Sequence, residues 1–177
     1  MKPLENDIIR LRAPEPEDLD RFYKWENDTS LWERGGVYAP LSRYEIKQFI
    51  SGTKDIYETR QLRFTIEKKT GGELIGAIDL YDFDPHNSRA AISIIIDRNY
   101  HRQGFGIAAL GLLVDYSYKC LGLHQLYVHI PVSNEASIRL FEKYGFAGSG
   151  YFADWLKIGD DYETVRFFSL ILGREGS

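Results

Sequence analysis

The feature that most restricts this chain is a helix-length apolar run, opened by two glycines and placed directly after an apolar strand. Residues 90–96 read Ala90-Ala91-Ile92-Ser93-Ile94-Ile95-Ile96, the near-continuous pattern of a central strand buried on both faces. After a short loop the chain continues Tyr100-His101-Arg102-Gln103-Gly104-Phe105-Gly106-Ile107-Ala108. Apolar residues then recur at helical spacing to about residue 121, and Gly122 closes the stretch as a C′ residue. A helix placed this way points its unpaired N–H groups and positive dipole end out of the fold, where they can receive a phosphate or pyrophosphate. Gly104 and Gly106 admit close approaches that a side chain would block. Arg102 adds a permanent cation suited to phosphate oxygens.

Other readings of this stretch are a tight strand-to-helix turn with no ligand, and a dinucleotide fingerprint. Gly104-Phe105-Gly106-Ile107-Ala108-Ala109 fits G-x-G-x-x-A, but that motif needs an acid at the end of the next strand. The next strand, Gln125-Leu126-Tyr127-Val128-His129-Ile130, contains none. A P-loop is excluded by the lack of Gly-Lys-Ser/Thr.

Elsewhere, Ile8-Ile9-Arg10-Leu11-Arg12 predicts a strand, and the Pro- and acid-rich residues 13–18 lead into a helix with the stripe Leu19, Phe22, Tyr23. Residues 27–40 read mostly as loop. Ser42 and Glu45 form a capping box for a second helix that Gly52 ends. Strands are expected at 63–68, 74–83, 90–96 and 125–130, and Pro131 is expected to end the last of these. A helix over 134–144 has Asn134 as N-cap and Gly145 as C′ residue. Two final strands, 146–155 and 164–172, flank the turn Gly159-Asp160-Asp161. This order predicts a mixed α/β (α+β) fold: one domain spanning residues 1–177, with a core from about 8 to 172.

Composition excludes several classes. The 177 residues are 44% hydrophobic and 27% charged, enough to bury a core without staples. A net charge of -4 and a pI near 5.6 leave no basic stripe for nucleic acid or an anionic membrane. Residues 104–114, the longest apolar run, fall short of a membrane span, and the N-terminus lacks a signal-peptide core. The single cysteine, Cys120, forms no internal disulfide and reads as buried packing. A reducing cytoplasm is the expected compartment, and no metal site is expected.

A second window reads Val132-Ser133-Asn134-Glu135-Ala136-Ser137-Ile138-Arg139-Leu140-Phe141-Glu142-Lys143-Tyr144-Gly145-Phe146. Together, the two windows resemble the Gcn5-related N-acetyltransferase (GNAT) superfamily, in its ribosomal-protein-alanine and spermidine acetyltransferase branch. The opening Ile9-Arg10-Leu11-Arg12-Ala13…Glu17-Asp18-Leu19 resembles it too. The resemblance implies a central, mostly antiparallel sheet with strands 4 and 5 splayed, flanked by about four helices. It also implies acetyl transfer from acetyl-CoA to a primary amine, either a protein N-terminus or a small molecule, with a possible homo-oligomer. In that scheme the pantetheine arm lies against Ile94, Ile95 and Ile96, and an N–H near Ile95 polarises the thioester carbonyl. Arg102 and Gln103 hold the pyrophosphate together with Gly104, Phe105, Gly106, Ile107 and Ala108. Asn134, Ser137 and Phe141 complete the cofactor site.

The sequence also departs from that branch. His101 stands where relatives carry Gln or Arg, and Phe141 where many carry a Tyr general acid. Ala91 replaces a Glu that serves a polyamine, which lowers polyamine as the expected acceptor. Candidate catalytic groups are therefore Ser137 or Tyr144 as acid, and His129, Asp79 or Asp82 as base. Trp32, Tyr38, Tyr81, Tyr151 and Trp155 are candidate pocket walls. The rival function is a non-catalytic acyl-CoA-binding sensor of the same fold.

Overall fold

The computed structural model describes residues 4–29, 39–52 and 55–173. Trp32 and Tyr38 lie outside the described residues. The chain forms β1 (Ile9–Arg12), α1 (Leu19–Glu26), α2 (Arg43–Ser51), α3 (Ile56–Thr59), β2 (Leu62–Lys68), β3 (Leu74–Asp84) and β4 (Arg89–Ile96). Then come α4 (Phe105–Lys119), β5 (Gln125–Pro131), α5 (Glu135–Tyr144), β6 (Ala147–Ile158) and β7 (Asp161–Ile171). The seven strands form a single mixed sheet in the order β1-β2-β3-β4-β5-β7-β6. Only β4 and β5 run parallel; every other neighbouring pair is antiparallel. This is the expected mixed α/β single domain. The short α3, with Asp55 as its N-cap, was not expected.

Strand alternation divides the core into two layers. One face of the sheet buries Ile66, Ile78, Leu80, Ile92 and Val128 against Leu110 and Leu113 of α4 and Phe141 of α5. The opposite face packs Leu74, Ala77 and Ile95 against Phe22 and Trp25 of α1 and Ile46 and Ile50 of α2. Local signals set the helix ends. Ser42 Oγ accepts from Glu45 N at 3.1 Å, and a Glu45 carboxylate oxygen accepts from Ser42 N at 2.7 Å. Asn134 Oδ1 accepts from Ser137 N, and Gly145 takes φ +116°. Each closes a helix terminus whose backbone groups would otherwise lack partners.

Several expectations are corrected. Cys120 is exposed, because it caps the C-terminus of α4 instead of facing the sheet. Pro131 ends the β5 ladder as expected, but from inside the strand: its pairing with Val165 of β7 is the last of the register. The last two strands are longer than the alternation predicts, and β6 is exposed over most of its length. Most important, β4 is not buried throughout. Ala90, Ala91 and Ile92 are, but Ile94, Ile95 and Ile96 are only half-buried. The cause is the loss of a neighbouring strand, described below.

Gly76 on β3 is fixed by this packing. A Cβ there would lie 2.2 Å from the Ile95 carbonyl oxygen, a main-chain atom that cannot move without carrying β4 with it. Gly76→Ala should therefore cost about 2 kcal/mol as an overpacking change and lower the melting midpoint by roughly 4–8 °C for a domain of this size. A thermal melt unchanged from wild type would contradict this account of the β3–β4 contact.

Candidate active site

Strands β4 and β5 pair only through Arg89↔Gln125, Ala90↔Leu126 and Ala91↔Tyr127. Beyond that point β4 continues with β3, from Ile92↔Leu80 to Ile96↔Gly76. Over the same stretch β5 continues with β7, through Val128, His129, Ile130 and Pro131. The two parallel strands therefore part, leaving a cleft between residues 92–96 and 128–131.

The backbone groups aimed into the cleft follow from the antiparallel alternation of hydrogen-bonded and non-bonded pairs. Asp97 N donates to Ile75 O at 2.8 Å, so position 97 is a bonded pair with β3. Counting back by twos, 95 and 93 bond to β3, while 92, 94 and 96 turn their N–H and C=O groups toward the cleft. The Ile95 amide is thus spent on Ala77, its register partner. The donors available are those of Ile94 and Ile96. The Ile96 carbonyl is covered by His101, whose Nε2 lies 2.7 Å away.

The helix that starts beside this strand presents the other half of the site. Arg102 has φ +59° and Gly104 φ +84°, two left-handed residues that turn the chain sharply into α4. A Cβ on Gly104 would meet nothing within 4 Å, so the loop is not blocked by the protein's own side chains. The first intrahelical bond runs from Ala108 N to Gly104 O, and the amides ahead of it lack a helical acceptor. The Arg102 guanidinium makes no ion pair or hydrogen bond among the described residues. Gln103 instead donates to Asn99 O at 3.0 Å and buttresses the loop. Gly106 faces the cleft, with its Cβ position 3.4 Å from Leu140 and 3.8 Å from Ile96. An extended strand edge beside a glycine-opened helix end fits a molecule with an amide-bearing arm and a diphosphate.

Helix α5 forms the far wall. Asn134 caps it, Ser137 is half-buried in its first turn, and Leu140 reaches Gly106. Phe141 was expected among the cofactor contacts, but its ring is 1% exposed and packs edge-on to Phe146 at 5.0 Å. It is a core residue with no surface left for a ligand. Tyr144 packs over Gly111 on α4, its hydroxyl 3.9 Å from the Cβ position. It sits between the two helices, in the field of Asp115. Leu140 was not singled out from the sequence, since helical spacing cannot tell a core leucine from one that lines a cleft.

On the α1/α2 face, two rows of side chains cross the sheet beside the cleft. Tyr81, Ala91 and Tyr127 are register partners, with Ala91 wholly buried between the two rings. One row inward are Asp79 and Ser93 and, across the cleft, His129. The His129 imidazole is 5.6 Å from Tyr127, 5.7 Å from Phe152 and 5.2 Å from Phe167. Trp155 stacks on Phe152 at 4.8 Å. Tyr151 is 73% exposed and lines a separate 430 Å³ groove with Arg166 and Val132. Asp79 is excluded as a free base. Both of its oxygens accept from the Arg63 guanidinium, at 2.8 and 2.7 Å.

Charge states divide the groups further. Burial, with help from Asp82 and Tyr127, pushes the Tyr81 phenol up to about 12. Burial raises Tyr127 and Tyr144 as well. All three stay protonated near neutral pH and cannot act as bases. The ring shield lowers His129 below the ordinary imidazole value, with Asp82 opposing in part. It stays neutral and can accept a proton. Among the described residues no group of three or more His, Cys, Asp or Glu side chains is placed to hold a metal, and no helix is long and apolar enough to cross a membrane.

A parted parallel strand pair beside an anion-receiving helix end defines an acyl-CoA-binding transferase. Comparison with known proteins gives the family. The acetyltransferase (GNAT) domain family matches residues 9–147, and the chain belongs to it. Spermidine N(1)-acetyltransferase of Escherichia coli (strain K12) is 30% identical over 159 residues, 89% of this chain and 82% of that protein. Spermidine N-acetyltransferase from Vibrio cholerae, crystallised with CoA and spermine, superimposes with a TM-score of 0.83 at 26% identity, covering 94% of this chain and 96% of that one. A dodecameric form of the same enzyme gives 0.78 at 27% identity, covering 94% and 95%. The chain is an acetyl-CoA-dependent N-acetyltransferase that transfers the acetyl group to an amine.

Gly106→Asp tests the cleft directly. It would set a carboxylate between Ile96 and Leu140 at the helix end, where two like charges 4 Å apart repel by about 4 kcal/mol at an effective dielectric near 20. Calorimetry should show CoA affinity reduced at least about 100-fold, with the far-ultraviolet spectrum unchanged. Undiminished binding would remove the diphosphate from this loop.

Proposed function

We propose that the acceptor amine enters from the α1/α2 face, beside Tyr81 and Tyr127, and that His129 removes the proton that blocks its attack. The observation that carries this reading is the placement of His129. It lies on the β5 wall where β4 and β5 part, and it is the one group of the panel whose surroundings favour the neutral base. An alkylammonium holds its proton up to about 10.4 and must lose it before it attacks.

Bound acetyl-CoA supplies the activated acetyl group as a thioester. Arg102, Gly104, Phe105, Gly106, Ile107 and Ala108 hold its diphosphate, with Gln103 bracing the loop. The cleft-facing amides of Ile94 and Ile96 pair with its arm as an added strand would, and Ile95 secures β4 from the α1/α2 face. Asn134 fixes the first turn of α5 and so the position of Ser137. The Ser137 hydroxyl makes no side-chain hydrogen bond among the described residues, and it gives a proton to the departing thiolate. Tyr144 is the less favoured acid, because its hydroxyl is directed between α4 and α5.

The acceptor is a small aliphatic amine, a reading supported by the spermidine acetyltransferases among the relatives. Protein N-termini are the less favoured class. The Glu that the branch uses for a polyamine is here Ala91, sealed between two tyrosines, so any second charge on the acceptor needs another partner. The enzyme works in the cytoplasm, and the dodecameric neighbour favours a homo-oligomer.

A thiol-release assay with acetyl-CoA and a panel of aliphatic amines and peptides tests the reading. His129→Gln should lower kcat by roughly 10²–10⁴-fold, the range of general base catalysis. The neutral imidazole is the active form, so activity is lost as the pH falls through its pKa. Because that pKa is lowered, the acid limb of kcat/KM should lie below the ordinary 6.5 and vanish in the variant. A limb that persists in His129→Gln would assign the base elsewhere. Ser137→Ala should lower kcat about tenfold with the affinity for acetyl-CoA unchanged; an unaltered kcat would leave Ser137 a structural residue.

A further inference from the structure

Alternation along β4 carries position 97 to the same face as Ile95, the face that α1 covers. The residue there is Asp97, and its side chain is only 6% exposed. No step of the proposed chemistry uses it. A buried carboxylate is costly unless its oxygens find partners, and here each oxygen takes a different one. Oδ2 accepts from the Trp25 indole of α1 at 3.2 Å, and Oδ1 accepts from the Asn99 amide at 3.1 Å. Burial works against the charge, but the Asn99 amide and the Trp25 indole, with Lys24 and Arg21 nearby, hold the carboxyl below its ordinary value. It is ionised at neutral pH and accepts through both oxygens. Asparagine would offer one oxygen and one NH2 group, so one of the two N–H groups would face another donor.

The Asn99 amide belongs to the single turn Arg98–Tyr100, which joins β4 to the diphosphate loop. Tyr100 N closes that turn on the Asp97 carbonyl at 2.8 Å. The Asn99 carbonyl in turn accepts from Gln103 Nε2 at 3.0 Å, one residue before Gly104. The bonds form one chain: Trp25 indole, Asp97 carboxylate, Asn99 peptide groups, Gln103 amide. It runs from the helix on the acceptor side to the loop between Arg102 and Gly104. Two ion pairs lie alongside, Arg21 with Asp97 at 3.7 Å and Arg98 with Asp28 at 3.6 Å; their arginines are exposed, and such pairs contribute little alone. The loop needs an anchor of this kind. Arg102 carries a side chain and yet stands at φ +59°, a conformation that lasts only where the surroundings impose it.

We propose that Asp97 is a positioning residue for the cofactor: by joining Trp25 to Asn99 it fixes the diphosphate loop relative to α1, so that the placement of the acceptor-side helix sets the affinity for acetyl-CoA. Asp97 acts through Asn99 and Gln103, not by contact with the reacting atoms. The inference rests on the assignment of residues 102–108 to the diphosphate under the proposed function.

The test uses Trp25→Phe, Asp97→Asn and the double variant, with CoA titrated by calorimetry and turnover measured against acetyl-CoA. Trp25→Phe keeps an aromatic ring against Phe22, which the indole meets edge-on at 5.8 Å, and removes only the indole donor. Each single variant should weaken CoA binding and raise KM for acetyl-CoA about tenfold, the effect of losing one hydrogen bond to a charged group. The kcat should stay within about twofold. The double variant should bind CoA within about twofold of Asp97→Asn, because both changes cut the same chain and their effects do not add. Undiminished CoA affinity in Trp25→Phe would overturn the proposal, whatever the melting midpoint does, and would leave Asp97 a residue of the fold alone. Losses that multiply in the double variant would overturn it as well, since the two residues would then act separately. Should Asp97→Asn not fold, Trp25→Phe decides the matter by itself. Gly106→Asp keeps the two readings apart: normal CoA binding there removes the diphosphate assignment, whereas weakened binding there with none in Trp25→Phe removes only the role of Asp97.

Discussion

Everything in this site depends on a ladder that stops. Three residue pairs join β4 to β5, and then each strand follows its other neighbour. A buried backbone group left without a partner costs about 1–3 kcal/mol, so the parting leaves a row of amides that favours any extended, amide-bearing molecule laid beside it. The fold meets part of that demand itself, through His101 on the Ile96 carbonyl. Helix α4 keeps the gap from collapsing. Its Leu110 and Leu113 pack in the core beneath the strands, and Gly106 in its first turn leaves room for the side chains of Ile96 and Leu140 beside it.

The two faces of the sheet use charge differently. Toward α1 and α2, Arg63 joins Asp79 and Glu26 and lies over the rings of Phe22 and Phe49, 5.5 and 4.8 Å from their centres. This is a structural use of charge: removing one partner of a buried pair costs about 3–5 kcal/mol, so the pair holds α1 and α2 in register with the sheet. A few residues along β3 the bulge interrupts the register with β4 and leaves Asp82 exposed to solvent. One strand thus carries both a carboxylate committed to the fold and one left exposed, and the change in backbone geometry marks the boundary between them.

The sequence made the local features plain. The two glycines before α4, the Asn134 cap, the Gly145 stop and the Ser42–Glu45 box each depend on a few adjacent residues, and each lies where the pattern places it. Features that depend on the absence of a neighbour were not legible. A run of isoleucines reads as a strand buried on both sides whether its edge meets another strand or a cleft, so β4 looked solid. Phe141 looked like a cofactor contact because the resemblance puts a Tyr acid at that position, and the depth of the ring depends on its packing against Phe146. Cys120 looked buried because the apolar period of α4 runs on past the residue where the helix turns away. The bulge at Asp82 left no mark at all, since no glycine announces it.

The missing hydroxyl at position 141 is easier to understand once the two proton transfers are weighed. At pH 7 an amine with a pKa near 10.4 lies about 3.4 units from its reactive form, roughly 4.6 kcal/mol, while a thiolate with a pKa near 8.5 lies about 1.5 units away, roughly 2 kcal/mol. The larger demand is for a base. In the cleft, partial burial lowers the His129 imidazole against the opposing charge of Asp82, and burial raises the Tyr81 and Tyr127 phenols. On the proposed assignment His129 meets that larger demand, so a core phenylalanine at 141 can stand in place of a tyrosine acid and the lesser transfer falls to the Ser137 hydroxyl. The exchange also favours the fold, because the Phe141 ring seals α5 against Phe146 and holds the wall that carries Ser137.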